Sequence, residues 1–249
     1  MTSVLVTGGT VRLGQVIADH LRDCGYKVLT TSSRGDSAAD IVADFREPMG
    51  AAKCYAAALN LLGGNPPDAV VNNAALFTGP APDIEAINLT APKKLTMLMA
   101  GREVPGRGCV VNILDATESE KCGAQSAGGG VQSAECGARS AECGAQSAEC
   151  GVQSAGGGAR SAKYSESKRE LRNFTRSAAV MFSETLRVNS VSPGPIDELR
   201  PVGFHEKAGE CPLGRPKALD IARAVAFLIE NESVTGIDIP VDGGLSVSL

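Results

Sequence analysis

The chain has 249 residues, of which 43% are hydrophobic and 21% are charged, and its formal net charge is −4. This length suits one α/β domain that buries a two-sided sheet. The acidic balance, without a basic stripe, argues against a nucleic-acid-binding protein. No stretch approaches the roughly 18 apolar residues of a membrane-spanning helix, and the first residues lack the basic flank of a signal peptide. We therefore expect a cytoplasmic protein without a membrane partner.

Eight cysteines and two histidines raise the question of disulfides or a metal site. Four of the cysteines belong to a repeated segment and the others are scattered, and no pair has the CxxC spacing of a zinc site. A cytoplasmic chain also keeps its thiols reduced. The sequence predicts neither disulfides nor a metal site.

Apolar strands alternate with amphipathic stretches along the chain. The predicted strands, in order, cover residues 4–6, 28–29, 40–44, 68–71, 109–113, 187–191 and 238–242. The predicted helices are a first stretch whose apolar face includes Val16, Ile17 and Leu21, and then residues 51–62, 87–100, 164–182 and 219–229. Strands that alternate with helices form a parallel sheet covered on both faces. The sequence therefore predicts one doubly wound α/β domain of the Rossmann type over residues 1–249.

One segment breaks this alternation. Residues 123–163 repeat a heptad that opens with glycine, at Gly123, Gly130, Gly137, Gly144, Gly151 and, truncated, Gly158. Alanine or valine in the second place and alanine in the fifth share one helical face. Each glycine, however, costs a helix about 1 kcal/mol, and alanines bury little area. We interpret the segment as a partly helical or mobile insertion that arose by tandem expansion, and we favour disorder over a coiled coil. A functional lid is the alternative.

A glycine-rich turn follows the first strand and opens the first helix, where residues 7–14 read TGGTVRLG. Glycines permit the tight turn, and the N–H groups and positive dipole end of a helix N-terminus suit a pyrophosphate. The position directly after strand one favours a dinucleotide site over a plain strand–helix corner. Arg12 stands where glycine is more usual and places a cation beside the phosphates.

The end of the second strand bears on which nicotinamide cofactor is bound. An acidic residue there would accept hydrogen bonds from the adenosine ribose and repel a 2′-phosphate. The chain has Ser32, Ser33 and Arg34 instead, with no carboxylate until Asp36, and an arginine fork matches phosphate geometry. The sequence therefore favours NADPH over NADH, and an ordinary polar loop is the alternative.

Tyr164 and Lys168 lie four positions apart on one face of a predicted helix. A nearby ammonium stabilises a phenolate and lowers the pKa of the tyrosine, which makes it a usable general acid near neutrality. Such a pair is common by chance. After a cofactor turn and a fifth strand, it indicates a catalytic site.

With these motifs the chain resembles the short-chain dehydrogenase/reductases over nearly its whole length, apart from the repeat. The other matching motifs are Asp44, residues 72–75 (NNAA), Asn88, residues 193–196 (PGPI) and residues 241–244 (VDGG). The resemblance implies that Tyr164 donates the proton, that Lys168 binds the nicotinamide ribose, and that Asn88 holds a proton-relay water. Asp44 would touch the adenine. The cofactor-binding residues that it implies are Gly8, Arg12, Leu13, Gly14, Ser32, Ser33, Arg34, Asp44, Phe45, Asn73, Ala74, Lys168, Pro193, Gly194 and Ile196.

Three departures from the general family pattern resemble the pteridine reductases. Asp115 stands where most members have a catalytic serine, Arg12 replaces the middle glycine of the turn, and Phe77 follows the NNAA run. In that group an aspartate partners the tyrosine, the arginine contacts cofactor and substrate, and a phenylalanine stacks on the pterin. The resemblance therefore implies Asp115 as catalytic and Arg12 and Phe77 as substrate-binding. A drifted serine position and a packing phenylalanine are the alternatives.

Asp115 and Tyr164 stand 49 positions apart (164 − 115), whereas family members place this pair roughly a dozen apart. Removing five heptads, 35 residues (5 × 7), leaves 14 (49 − 35). The expansion thus lies between two catalytic residues, at the loop that borders the substrate pocket. Because each doubling of loop length costs only about 0.6 kcal/mol in closure entropy, we expect catalysis to survive it.

Three functions remain open on this basis. The first is an NADPH-dependent reductase of pterin or dihydrofolate-like substrates, in which a carboxyl–tyrosine pair relays the proton to the ring nitrogen of a C=N bond. The second is a carbonyl reductase of oxoacyl thioesters or small ketones. The third is a cofactor-binding but inactive protein with the repeat as an interaction arm. The resemblance also implies a homotetramer, built through the helices on either side of strand five and the C-terminal strand.

Overall fold

The computed structural model describes residues 2–34, 38–102, 106–116, 162–199 and 211–248. Within these ranges the strands are β1 (Ser3–Val6), β2 (Lys27–Ser32), β3 (Ile41–Val42), β4 (Ala69–Asn72), β5 (Gly108–Ile113), β6 (Leu186–Pro193) and β7 (Asp238–Val241). The helices are α1 (Arg12–Asp23), α2 (Gly50–Leu61), α3 (Ala81–Glu85), α4 (Ala91–Ala100), α5 (Ala162–Met181), α6 (Ala218–Glu230) and α7 (Leu245–Ser248). A π-helical turn (Ala86–Thr90) joins α3 to α4, and a 3₁₀ turn spans Asp197–Leu199.

All seven strands pair in parallel in the order β3-β2-β1-β4-β5-β6-β7. The chain runs outward from β1 to β3 and then crosses back to β4 on the other side of β1. In open sheets of this kind, ligands bind at the carboxyl ends of the strands where the order reverses. The predicted doubly wound α/β fold is therefore confirmed, and its switch point lies between β1 and β4.

The sheet buries apolar side chains on both faces because successive strand residues point in opposite directions. Val4 and Val6 of β1 belong to one core, and Leu5 between them belongs to the other. The first core packs against α1 and α6, whose buried residues include Ile17, Leu21, Ile221 and Val225. The second core packs against α2, α4 and α5, whose buried residues include Ala58, Leu95, Met99 and Ala178.

Strand three is shorter than the sequence predicts, since only two of the five predicted residues pair with β2. The Asp40 carboxylate accepts hydrogen bonds from the backbone N–H and the hydroxyl of Thr30, at 2.8 and 2.9 Å. The Asp44 carboxylate instead accepts hydrogen bonds from the side chain of Arg46. Only Ile41 and Val42 remain in the ladder.

The helix predicted over 87–100 is in fact the last part of a longer, three-part element that begins at Ala81. Pro92 has no N–H to donate to the preceding turn, and the wider π-helical turn precedes it. The helix predicted to begin at Tyr164 begins two residues earlier, at Ala162. The rest of the predicted insertion, residues 123–161, lies outside the described residues.

No helix in the described part of the chain has both the length and the apolar composition that crossing a membrane requires.

Candidate active site

The turn after β1 is tied to the end of β4 through Thr7. Its hydroxyl accepts hydrogen bonds from the backbone N–H groups of Asn73 and Ala74, at 2.9 and 3.0 Å, and donates one to the carbonyl oxygen of Val71 at 3.3 Å. The side-chain amide of Asn73 donates to the carbonyl oxygens of Thr7 and Gly8, at 3.0 and 3.2 Å. Asn73 and Ala74, predicted to line a cofactor, therefore also hold the turn that would cradle it.

Gly14, at the start of α1, has no room for a side chain. A Cβ atom there would overlap the carbonyl oxygen of Gly8 and lie 2.5 Å from the amide nitrogen of Asn73. Gly8 is required by its conformation, since its φ of +62° lies in the left-handed region. These two glycines let the helix N-terminus approach the turn closely.

Gly14→Ala is expected to lower the free energy of unfolding by about 1–3 kcal/mol, because an added methyl group forces the turn and α1 apart. Gly101→Ala is the matched control, since the atoms nearest its Cβ lie 3.8 Å away, and we expect a change within about 0.5 kcal/mol. Urea unfolding of both variants measures the difference. Equal losses would contradict a special requirement at Gly14.

The N-terminus of α1 suits an anionic group. Its N-cap residue is Val11, whose apolar side chain cannot accept hydrogen bonds from the first N–H groups, and the first turn contains no acidic residue. Arg12 has a φ of +53°, and among the described residues it is the one non-glycine residue with positive φ. Its guanidinium donates to the carbonyl oxygen of Leu199 at 2.6 Å. Arg12 therefore joins the turn to the 3₁₀ turn after β6.

The residues predicted around the adenosine end of the cofactor follow β2 and β3. Ser33 and Arg34 are exposed, and the hydroxyl of Ser32 accepts a hydrogen bond from the backbone N–H of Arg34 at 3.1 Å. A hydrogen bond from Arg46 is the largest of the effects that lower the pKa of Asp44. Phe45 is 8% exposed and belongs to the core against α2. Phe45 thus anchors the segment after β3 to the core.

Tyr164 and Asp115 meet at the carboxyl end of β5. The hydroxyl of Tyr164, on α5, donates a hydrogen bond to Asp115 Oδ2 at 2.9 Å, although 49 positions separate the two residues. The side chains are nearly inaccessible, at 2% and 5% exposure. The structure therefore brings together the two residues that the sequence predicts as a catalytic pair.

Lys168 lies one turn beyond Tyr164 on the same face of α5. Its ammonium donates to the carbonyl oxygen of Ile113 at 2.8 Å and lies 5.7 Å from the centre of the Tyr164 ring. Lys168 is only 2% exposed. A cation held this close to the ring stabilises a phenolate at Tyr164.

Asn88 lies in the π-helical turn and is fully buried. Its side-chain oxygen accepts from the N–H of Leu76 at 2.8 Å, and its amide donates to the carbonyl oxygen of Leu76 at 3.0 Å and to Ser167 Oγ at 3.2 Å. These bonds fix the backbone beside Phe77. The water-holding role implied for Asn88 stays a prediction.

Phe77 stacks on Tyr164, with ring centres 5.0 Å apart and planes inclined by 30°. Its side chain is 43% exposed, in contrast to the buried tyrosine. An exposed aromatic ring next to a proton donor is a surface on which a flat ring can stack.

The PGPI segment closes the site from the β6 side. Pro193 ends β6, and Gly194 donates its N–H to the carbonyl oxygen of Val241 at 2.9 Å. A Cβ atom at Gly194 would lie 2.6 Å from the Cα atom of Asp242. The predicted cofactor residues Leu13 and Ile196 are partly buried. Both pack against the first core, on the side of the sheet covered by α1 and α6.

Arg172 joins this site, although the sequence patterns did not single it out. It lies on the face of α5 that carries Tyr164 and Lys168, at a spacing of four from the latter, and is 4% exposed. One of its terminal nitrogens donates to the backbone oxygen of Asp115 at 3.1 Å. The only sequence signal was that spacing of four, repeated from Tyr164 through Lys168 to Arg172.

Curated proteins match about a third of this chain. A family model described as enoyl-(acyl carrier protein) reductase matches residues 143–246. Carbonyl reductase family member 4 of Danio rerio is 42% identical over 88 residues, which are 34% of this chain and 37% of that protein. The 3-oxoacyl-[acyl-carrier-protein] reductase of Bos taurus is 40% identical over 90 residues, 34% of this chain and 38% of that protein. The chain thus spans less than two-fifths of the length of these curated relatives.

Solved structures cover the whole chain. An oxidoreductase (short chain dehydrogenase/reductase) from Brucella ovis has a TM-score of 0.68 at 21% identity and covers 97% of this chain and 100% of that one. The FolM alternative dihydrofolate reductase 1 of Brucella canis, complexed with NADP, has a TM-score of 0.75 at 25% identity and covers 100% and 95%. These matches show that this chain has the same fold as those proteins. The family-model match includes the positions of Tyr164 and Lys168.

Proposed function

We propose that the protein is an NADPH-dependent reductase of pterin or dihydrofolate-like substrates. The observation that carries this proposal is the 2.9 Å hydrogen bond from Tyr164 to the carboxylate of Asp115. A tyrosine and a carboxyl group in contact would form a proton relay, and such a relay can supply the proton that the reduction of a ring C=N bond needs. The likeness to a solved alternative dihydrofolate reductase supports this substrate class.

The residues of the turn and of α1 fit a nicotinamide dinucleotide. The N-terminus of α1 has no acidic residue in its first turn and no side-chain cap at Val11, and Arg12 adds a cation. The pyrophosphate would lie at this helix end, and Ser32, Ser33 and Arg34 would hold the 2′-phosphate. When bound, the reduced cofactor supplies a hydride to the substrate.

The described side chains provide the proton that accompanies the hydride. Tyr164 would transfer its hydroxyl proton to the ring nitrogen as that nitrogen gains an electron pair from the breaking C=N π bond. The ammonium of Lys168, 5.7 Å from the ring centre, stabilises the phenolate that is left. Asp115 is in hydrogen-bond contact with the same oxygen, and its carboxylate would take up a proton from solvent and pass it to the phenolate. Phe77 would stack on the substrate ring and orient it.

A second candidate is reduction of a carbonyl group, in oxoacyl thioesters or small ketones. The curated relatives favour it, since they include a carbonyl reductase and 3-oxoacyl-[acyl-carrier-protein] reductases. Tyr164 would then protonate the carbonyl oxygen. Asp115 is the residue that separates the two candidates, because a carboxylate that accepts from Tyr164 does not offer a hydroxyl donor to a ketone oxygen.

NADPH oxidation, followed by absorbance, distinguishes these candidates when it is assayed with a panel of substrates. The panel is dihydrobiopterin, dihydrofolate, a folate, an acetoacetyl thioester and a quinone. Turnover of the pterins supports the proposal, and turnover of only the thioester or quinone supports carbonyl reduction. NADPH binding without any turnover supports the third candidate, a cofactor-binding but inactive protein. In that case a variant lacking residues 123–157, five heptads, shows whether the repeat is the cause.

Arg34→Ala is expected to raise the Kd for NADPH about 10- to 100-fold, because a hydrogen bond to a charged phosphate contributes about 1.5–3 kcal/mol. The Kd for NADH should stay within about twofold. Arg22→Ala is the matched control, since Arg22 is an exposed arginine in the last turn of α1. Fluorescence titration with both cofactors measures the effect. An equal rise for NADH would contradict a 2′-phosphate contact at Arg34.

A cytoplasmic homotetramer completes the proposal. The family resemblance implies assembly through α4, α5 and β7, and analytical ultracentrifugation of the purified protein tests it.

A further inference from the structure

Three side chains of α5 attach the helix to the end of β5. Tyr164 donates to the Asp115 carboxylate, Lys168 to the carbonyl oxygen of Ile113 at 2.8 Å, and Arg172 to the carbonyl oxygen of Asp115 at 3.1 Å. The strand ladder itself ends earlier, since β5 stops at Ile113 and the N–H of Leu114 makes the next bond to β6. Asp115 therefore lies beyond the sheet, and Arg172 holds its backbone.

The positive charge of Arg172 is paired with the carboxylate of Asp238. Its Nε donates to Asp238 Oδ2 at 3.1 Å, and one terminal nitrogen also donates to Ser192 Oγ at 3.3 Å. Asp238, on β7, additionally accepts from the hydroxyls of Ser190 and Ser192, each at 2.9 Å. A buried guanidinium needs such a partner, because an unpaired buried charge is costly. Asp238 therefore offsets the charge of Arg172 from the β7 side.

We propose that Arg172 is a positioning residue: by fixing the backbone of Asp115, it aims the carboxyl group that accepts the Tyr164 hydroxyl. The Arg172–Asp238 pair thus connects β7 to the catalytic pair, without itself touching the reacting atoms. This inference rests on the proposed function for its kinetic consequence. Its geometric consequence, the contact between Tyr164 and Asp115, can be measured in the absence of turnover.

Arg172→Lys tests the proposal, because lysine keeps the positive charge but cannot reach Asp238, Ser192 and the Asp115 carbonyl oxygen together. Arg187→Lys is the matched control. Arg187 is an equally buried arginine, 5% exposed, and it donates to the carbonyl oxygens of Leu228, Ile229 and Val234, away from the site. Both variants lose the fork geometry of a buried arginine, so a general loss of stability affects both.

The first readout is the ionisation of Tyr164, followed by the near-ultraviolet absorbance of tyrosinate. The chain has three tyrosines and no tryptophan. Burial, together with the nearby Glu230 carboxylate, raises the pKa of Tyr26 to about 12, and burial raises that of Tyr55. Subtracting the titration of Tyr164→Phe in the same background isolates Tyr164. Within the described residues, the charged groups that contact or adjoin Tyr164 include Asp115, Lys168 and, through Asp115, Arg172.

We expect Arg172→Lys to raise the ionisation constant of Tyr164 about tenfold, because a displaced Asp115 carboxylate no longer stabilises the neutral phenol. Arg187→Lys should leave it unchanged. With a substrate that is turned over, kcat should fall about 10- to 100-fold in Arg172→Lys while the Kd for NADPH stays within about twofold. An unchanged Tyr164 titration in a folded Arg172→Lys variant would overturn the proposal.

Ser192→Ala keeps the test decisive if Arg172→Lys does not fold. This milder variant removes one acceptor of Arg172 and one donor to Asp238. We expect a shift of the Tyr164 titration in the same direction, about threefold, and no shift would again overturn the proposal. If the wild-type protein reduces nothing in the panel but the titration shifts as expected, the proposed function fails and the role of Arg172 stands.

Discussion

Tyr164→Phe is expected to lower kcat for reduction by about 10²–10⁴-fold, the usual contribution of a positioned general acid. The variant removes only the hydroxyl, which is 2.9 Å from Asp115 Oδ2. The ring that stacks on Phe77 at 5.0 Å remains. The Kd for NADPH should therefore change little. Single-turnover NADPH oxidation and a separate binding titration measure the two effects.

Tyr26→Phe is the matched control for this substitution. The hydroxyl of Tyr26 donates to the Glu230 carboxylate at 3.2 Å, on the surface between α1 and α6. Because this bond lies outside the site, we expect kcat to remain within about twofold of the wild-type value. A Tyr164→Phe variant that keeps wild-type kcat would show that another group delivers the proton and would exclude the proposed relay.

The fold was predictable from the sequence because each strand of a buried parallel sheet is an apolar run. The runs predicted at 4–6 and 109–113 match β1 and β5, and each strand begins one residue earlier than predicted. β2 extends further than predicted because Thr30 and Thr31 are buried at 2% and 1% exposure. Their β-branched side chains suit a strand although their hydroxyls are polar.

The site was predictable only where a motif carries its own chemistry. The glycine turn and the Tyr164–Lys168 spacing are local patterns, and the pairing with Asp115 across 49 positions came from a family resemblance. The bond from Arg172 to Asp238 spans 66 positions, and no local pattern links the two. The Asn88 contacts depend on a π-helical turn, which a 3.6-residue period does not reveal.

Asp115 decides between the two candidate reactions, and Asp115→Ser is the substitution that exposes its role. Serine is the residue that most short-chain dehydrogenase/reductases have at the corresponding position, and it removes the carboxyl group from the contact with Tyr164. Pterin reduction should lose about 10²–10³-fold in kcat/KM, because one preorganised group at the reacting atoms contributes about that much. Reduction of an oxoacyl thioester should rise or stay level, since serine offers a hydroxyl donor to its carbonyl oxygen.

Asp115→Asn separates the charge of the side chain from its shape. Asparagine still offers an oxygen that can accept from Tyr164, but it cannot exchange a proton. If Asp115 relays the proton, Asp115→Asn should lose pterin reduction as severely as Asp115→Ser. Asp19→Asn, an exposed aspartate paired with Arg22, controls for the loss of a negative charge. Full pterin activity in Asp115→Asn would reduce Asp115 to an acceptor that orients Tyr164 and would exclude it as a proton relay.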